Sequence, residues 1–210
     1  MTLLGAALLW FGWFGFNAGS ALTSGTLAVS AFISTHMAAA AGALAWAVLE
    51  WVLSKRPTAL GIISGAIAGL ATVTPAAGYV TPAGAILIGF LTGIICYFSV
   101  VWVKARLGYD DSLDAFGVHG VGGMFGVLMT GILATTAVNP DGADGLAYGH
   151  AKQLLIQFLA MIICGAFSFV VSWGLLKLVD RVVGLRVSPD HENIGLDLTQ
   201  HRESAYTIVG

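Results

Sequence analysis

The sequence predicts an all-α protein, a polytopic membrane bundle of six transmembrane helices, and three observations carry that prediction. Apolar residues fill 57% of the 210 positions and the mean hydropathy is +0.87, against roughly 45–50% apolar residues in soluble domains. The 9 basic and 11 acidic residues are unevenly placed, with 12 of these charges in residues 1–179 and 8 in the last 31. Six apolar stretches, at about 3–24, 30–53, 60–79, 83–103, 113–137 and 153–179, reach the roughly 20 residues that a helix needs to cross a hydrocarbon core. They lack the alternation of a barrel strand, and backbone groups in lipid must bond within their own segment, so they read as helices. Residues 1–179 form the expected membrane body and 180–210 a polar tail.

The first stretch carries Trp13, Phe16 and Ser20 at i, i+3 and i+7, which places them on one helix face. Aromatic faces attract cations and a hydroxyl adds a hydrogen bond, so this face reads either as a small-cation entry site or as an interfacial aromatic belt. In the second stretch His36 follows Ser34 and Thr35 and is expected near the outer end as a packing residue satisfied by those hydroxyls. The third carries Gly61, Gly65 and Gly69, a spacing that lets helix backbones approach closely.

The fifth stretch opens on Asp110, Asp111, Ser112 and Asp114. Negative charge suits a helix N-terminus, and Asp114 is expected to serve there as a cap. About six residues into this span, roughly 9 Å deep at 1.5 Å per residue, stands His119, with Ala115, Gly122 and Gly123 as its helical neighbours. An ionisable residue at that depth is a functional candidate by default. A neutral imidazole is both donor and acceptor, which suits a polar solute crossing an apolar passage; a bond to a neighbouring carbonyl is the other reading. The face around it is stripped of bulk, so something small or another helix must approach.

The connections give a direction. Lys55 and Arg56 follow the second stretch, Lys104 and Arg106 the fourth, and Lys177, Arg181 and Arg186 the sixth; with Arg202 they put eight of nine basic residues on one side. The positive-inside rule then places Met1 and the tail in the cytoplasm.

Other classes fall away. A net charge of −2 offers no basic excess to track a phosphate backbone, so nucleic acid is not an expected partner. Cys96 and Cys164 sit in apolar runs without metal spacing. His36, His119, His150, His191 and His201 form no ligand pattern either. There is no basic n-region or cleavage site of a signal peptide. With no nucleophile–base pair and no phosphate-cradling loop, neither enzymatic activity nor a cofactor is expected.

Four segments together resemble the ammonium transporter (Amt/Mep/Rh) family on its bacterial side: FGWFGFNAGS at 11–20, Thr74-Pro75-Ala76-Ala77-Gly78-Tyr79, DAFGVHGVGG at 114–123, and GLRVSPDHENIGLDLTQHRESAY at 184–206. The resemblance implies an eleven-helix fold of two inverted repeats plus a last helix, assembled as a homotrimer in the cell membrane with one pore per subunit. This chain would correspond to the second repeat, the last helix and the tail, with Met1 just ahead of the sixth helix. It implies that Ser20 accepts a hydrogen bond from ammonium at an outer site, that Trp13 lies beside that site, that Phe16 is half of a stacked phenyl constriction, and that His119 is the second of a pore histidine pair. Thr74 would stand next to the pore. The first histidine, the other phenyl and the remaining aromatic of the outer site belong to the first repeat, so a complete pore is expected to need a first-repeat segment.

The tail resembles one that packs against the subunit base and meets PII-type signal proteins, through Gly184-Leu185-Arg186-Val187, Gly195-Leu196-Asp197 and Glu203-Ser204-Ala205-Tyr206. On that basis it is expected to be ordered. Two further readings stand beside ammonium transport: an ammonium sensor signalling to a PII-type partner, and a truncated fragment without activity of its own.

Overall fold

The computed structural model describes residues 1–204, and those residues contain helices and turns without strands. They divide into two compact units, the first residues 1–161 and the second beginning at residue 162. The helices are α1 (Thr2–Gly19), α2 (Thr26–Ser54), α3 (Ala59–Val73), α4 (Pro82–Phe98), the single turn α5 (Lys104–Leu107), α6 (Val121–Leu133), α7 (Ala151–Val182) and the short α8 (Pro189–Ile194). A π-helical turn, Ser99–Val103, joins α4 to α5, and a second, Phe116–Gly120, leads into α6. Among the described residues, four helical stretches are long and apolar enough to cross a membrane: Thr26–Ser54, Pro82–Leu107, Phe116–Leu133 and Ala151–Val182. Of the six expected spans, α1 and the 15-residue α3 fall below that mark.

Helix starts follow side-chain caps. Thr58 Oγ1 accepts from Gly61 N at 2.9 Å to open α3, and Thr81 Oγ1 accepts from Gly84 N at 3.2 Å ahead of Pro82 to open α4, which satisfies amides that no carbonyl of the helix can reach. The Glu50 carboxylate, from the last turns of α2, accepts from Thr58 N at 2.6 Å and so ties the end of α2 to the start of α3. The third expected span ran on to residue 79, but α3 stops at Val73. Beyond it, turns through Ala76 N and Ala77 N to Val73 O carry the chain to Gly78, whose φ of +81° is open to glycine at little cost.

In the first unit α2 is central, flanked by α3 and α4, with α1 against α2 and α3. Backbone meets backbone at these crossings. A Cβ on Gly42 would strike Gly65 O, one on Gly69 would strike Ala38 O, and one on Gly89 would also strike Ala38 O. Close approach through small residues is what drives association where lipid supplies no hydrophobic push. Two apolar clusters fill the remainder: Ala38, Val73, Val80, Ile88 and Met129 in one, and Trp46, Ala68, Cys96, Tyr97 and Val118 in the other.

Buried hydroxyls are mostly turned back on their own helix. Thr35, Thr92 and Thr130 donate to Ala31 O, Ile88 O and Gly126 O at 2.7, 2.6 and 2.9 Å. Between α6 and α7, Asp144 accepts from Thr136 N at 2.7 Å and from its hydroxyl. The amide bond is the main reason its carboxyl lies below its ordinary pKa.

In the second unit the latter part of α7 ends before Gly184, at φ +79°. Ser188 caps α8 with Pro189 in its first turn, and Arg186 donates through Nε and Nη2 to the two Glu192 oxygens at 2.7 and 3.3 Å. Gly195 at φ +108° turns the chain into a π-helical turn, Asp197–His201, where Thr199 Oγ1 donates to Gly195 O at 2.9 Å. The expected tail positions Gly184 to Val187 and Gly195 to Asp197 therefore lie in locally bonded structure. Ala205 and Tyr206 lie outside the described residues.

Candidate functional site

Three of the five predicted site residues converge from three helices. Trp13 on α1 donates its indole N–H to Thr74 Oγ1 at 2.8 Å, and Thr74 donates in turn to Leu70 O at 2.9 Å, which completes the end of α3. A half-buried indole needs such an acceptor. On the other side the Trp13 ring lies parallel to the His119 imidazole, with centroids 6.2 Å apart and an interplanar angle of 5°. Parallel planes at that separation are offset rather than superposed. Thr74 thus fixes the indole, and the indole forms a shelf that sets the plane of the imidazole.

His119 sits in the π-helical turn at the entrance of α6 rather than in regular α-helix. Such turns are rare and gather at functional sites. Its ring is exposed, and among the described residues neither ring nitrogen has a hydrogen-bond partner. The glycines around it divide in use. A Cβ on Gly122 would meet Thr72 Oγ1 at 2.6 Å and Cys96 Sγ at 3.3 Å, so that glycine admits α3 and α4; Gly123 has open space before it.

Phe16 stands edge-on to Trp13 at 6.2 Å and is 63% exposed. Ser20, at the end of α1, donates its hydroxyl proton to Phe16 O at 2.8 Å. With the proton used, the hydroxyl can serve a further partner only as an acceptor. Phe16 and Ser20 lie farther along α1 than Trp13, and among the described residues no ring contact or hydrogen bond joins either of them to His119. An apolar groove of about 520 Å³ runs along Gly5, Leu8, Leu9, Gly12, Trp13 and Phe16. A second cavity, about 290 Å³, is lined by His119, Val118, Leu60, Ile63, Ile67 and Leu113 and by the polar Thr2, Ser64, Ser112 and Asp114.

Two sequence expectations need correction. Asp114 does not cap the histidine helix: Asp111 Oδ2 accepts from Phe116 N and Gly117 N at 3.0 and 3.2 Å, while Asp114, at φ +57°, pairs with Lys104 Nζ at 2.5 Å. Lys104 also donates to Asp111 O at 2.9 Å. The acidic segment splits its work because the left-handed bend at Asp114 turns that carboxylate away from the helix start. His36 is not held by hydroxyls either. Ser34 and Thr35 are buried on the inner face of α2, whereas the exposed imidazole packs against the rings of Trp10 and Phe14 at 5.5 and 5.9 Å. Since α2 begins at Thr26, His36 is ten residues in rather than at the outer end.

Sequence reasoning missed Asn17. Its side chain is buried at 6% exposure and donates through Nδ2 to Thr35 Oγ1 at 3.0 Å, linking α1 to α2. An amide within an apolar run was the available signal.

Comparison with known proteins gives a consistent result. Residues 1–206 match the profile of the Ammonium Transporter Family. The chain is 52% identical over 205 residues to "Ammonium transporter" of Bacillus subtilis, covering 98% of this chain and 51% of that protein. It is 50% identical over 208 residues to "Ammonium transporter Amt1" of Archaeoglobus fulgidus, covering 99% and 52%. The crystal structure of Saccharomyces cerevisiae Mep2 is similar at TM-score 0.83 and 39% identity, over 89% of this chain and 43% of that one. A structure described as "Sensor Amt Protein" is similar at TM-score 0.84 and 33% identity, over 94% and 48%. The chain spans about half the length of the relatives it matches. Matched along nearly all of its residues, this multi-pass helical membrane protein belongs to the Ammonium Transporter Family.

Proposed function

We propose that the protein carries ammonium, as the ion or as ammonia, across the cell membrane from Ser20 past Phe16, Trp13 and His119 to the cavity that His119 and Asp114 both line. The observation that carries this reading is the parallel Trp13–His119 pair, braced by Thr74, with His119 lining a cavity of mixed apolar and polar walls. Ser20, restricted to accepting, suits a donor cation at the entrance. Trp13 and Phe16 add aromatic faces that favour a desolvated cation by about 2 kcal/mol. His119 then replaces part of the hydration that the solute loses.

The exposure of Phe16 and His119 supports a further part of the reading: the opposite wall of the path comes from a segment outside these 210 residues, as first repeats supply in inverted-repeat transporters. We assign the assembly as a homotrimer with both termini cytoplasmic, and the tail as the surface met by a PII-type signal protein. A second reading, ammonium sensing, is favoured by the similarity to the structure described as "Sensor Amt Protein".

Methylammonium uptake by the complete transporter tests these assignments together. Ser20→Leu removes the entrance acceptor and is expected to lower uptake about tenfold at low substrate, equivalent to one hydrogen bond of about 1.4 kcal/mol. Wild-type uptake in that variant removes Ser20 from the path. Deleting residues 184–210 is expected to abolish PII-type binding while uptake persists; a complete protein that binds the partner and shows no flux favours sensing.

A further inference from the structure

The segment that carries His119 is built against a second irregular segment. The π-helical turns Ser99–Val103 and Phe116–Gly120 pack together at Gly117, where a Cβ would stand 2.7 Å from Val100 Cγ2 and 3.6 Å from Ser99 Oγ. Cys96, just ahead of the first turn, places its thiol 3.8 Å from Val118 O in the second. A π-helical turn closes its hydrogen bonds over five residues rather than four, so losing the extra residue rotates one side of the helix against the other by about 100°. Whatever keeps the second turn wide therefore also sets where the imidazole stands.

The entrance to that turn is tied by one cation. Lys104, the residue after the first π-helical turn, lies with Nζ against Asp114 Oδ1 and donates to Asp111 O at 2.9 Å. The same Asp111 accepts through Oδ2 from Phe116 N and Gly117 N, the first two amides of the wide turn. Asp114 O accepts from Val118 N at 2.9 Å, and the Asp114 φ of +57° is a conformation that an L residue keeps only when its surroundings hold it. Lys104 thus grips both ends of residues 111–114, the stretch that caps the wide turn.

We propose that Lys104 is a positioning residue for the substrate path: its clasp on Asp111 and Asp114 keeps the turn Phe116–Gly120 wide and so sets the His119 imidazole parallel to the Trp13 ring. Its effect on flux rests on the reading that the solute passes His119. Its effect on the turn does not.

Lys104→Met keeps a stem of similar length and removes the donors, whereas Lys104→Arg keeps charge and donors. In density maps of the complete protein, Lys104→Met is expected to show residues 116–120 drawn into regular helix and the imidazole off the Trp13 plane, and Lys104→Arg to keep the parent geometry. An unmoved turn and ring in Lys104→Met overturns the proposal. If that variant does not fold, Asp114→Asn, which tolerates the left-handed bend and removes the charge, takes its place in the maps with the same two outcomes.

Uptake reads the consequence. Per folded transporter, the maximal methylammonium rate of Lys104→Met should fall by about ten- to a hundredfold, the cost of misplacing a positioned group. Half-saturation should not change, because Ser20 on α1 is untouched. Added to His119→Ala, Lys104→Met should lower the rate no further, since a residue that acts through the ring has nothing left to place; losses that multiply overturn the proposal. If His119→Ala alone keeps the parent rate, the transport reading falls, while the maps still decide the clasp.

Discussion

Replacing His119 with alanine is expected to lower methylammonium flux through the complete transporter by roughly ten- to a hundredfold with little change in thermal stability. The cavity beside the imidazole is lined by the apolar Leu60, Ile63, Ile67 and Val118 and by the polar Thr2, Ser64, Ser112 and Asp114, so the imidazole is one of several groups there able to bond a polar solute. A group that loses a hydrogen bond in such surroundings costs about 1–3 kcal/mol, and each 1.4 kcal/mol added to the barrier is tenfold in rate. Stability should hold because the ring is exposed and, among the described residues, its one ring contact is Trp13. His119→Gln, which keeps a donor and an acceptor, should retain an intermediate flux. Proteoliposome uptake beside a thermal unfolding curve checks both halves, and unaltered flux in the alanine variant removes the imidazole from the path.

The largest loss of stability should come from Gly42→Leu. At that position the added side chain meets Gly65 O, with Gly69 Cα and N at 3.3 Å, and the clash is reciprocal because a Cβ on Gly65 would meet Gly42 O. Every one of these neighbours is backbone, so no rotamer can yield and α2 and α3 must separate. Overpacking at its upper range costs about 3 kcal/mol, and a membrane body of this size should lose roughly 6–12 °C in unfolding midpoint. Gly123→Ala is the matched control: nothing lies within 4 Å of its Cβ, and alanine is the better helix former by about 1 kcal/mol. Equal midpoints for the two variants would mean that α2 and α3 are not in backbone contact.

The helical fold was legible because lipid leaves few choices to an apolar run, and composition alone is enough to separate it from a soluble domain. Helix ends were less legible. The third span was expected to continue through residue 79, but Thr74 bonds back to Leu70 O and Gly78 takes a left-handed turn; an apolar count registers neither event. The fifth was expected to start at 113, whereas the left-handed Asp114 delays it to the π-helical turn at Phe116.

For the site, spacing placed Trp13, Phe16 and Ser20 on one face, and the glycine surround singled out His119. That Trp13 rests between Thr74 and His119 could not be read from periodicity, since the three residues come from separate helices and only their crossing brings them together. The same holds for Lys104 with Asp114, which are joined across the turn between α5 and the histidine segment. Asn17 was hidden by its motif: an amide in FNAGS reads as a helix end until Thr35 is seen opposite it.

The account turns on the surroundings of one ring, and a density map of the assembled protein, sharp enough to resolve side chains, tests it most directly. The predicted map has a continuous narrow passage along Trp13 and His119, with the facing wall built by residues outside these 210. A map in which side chains close over the imidazole on every side, leaving no passage beside it, contradicts the account.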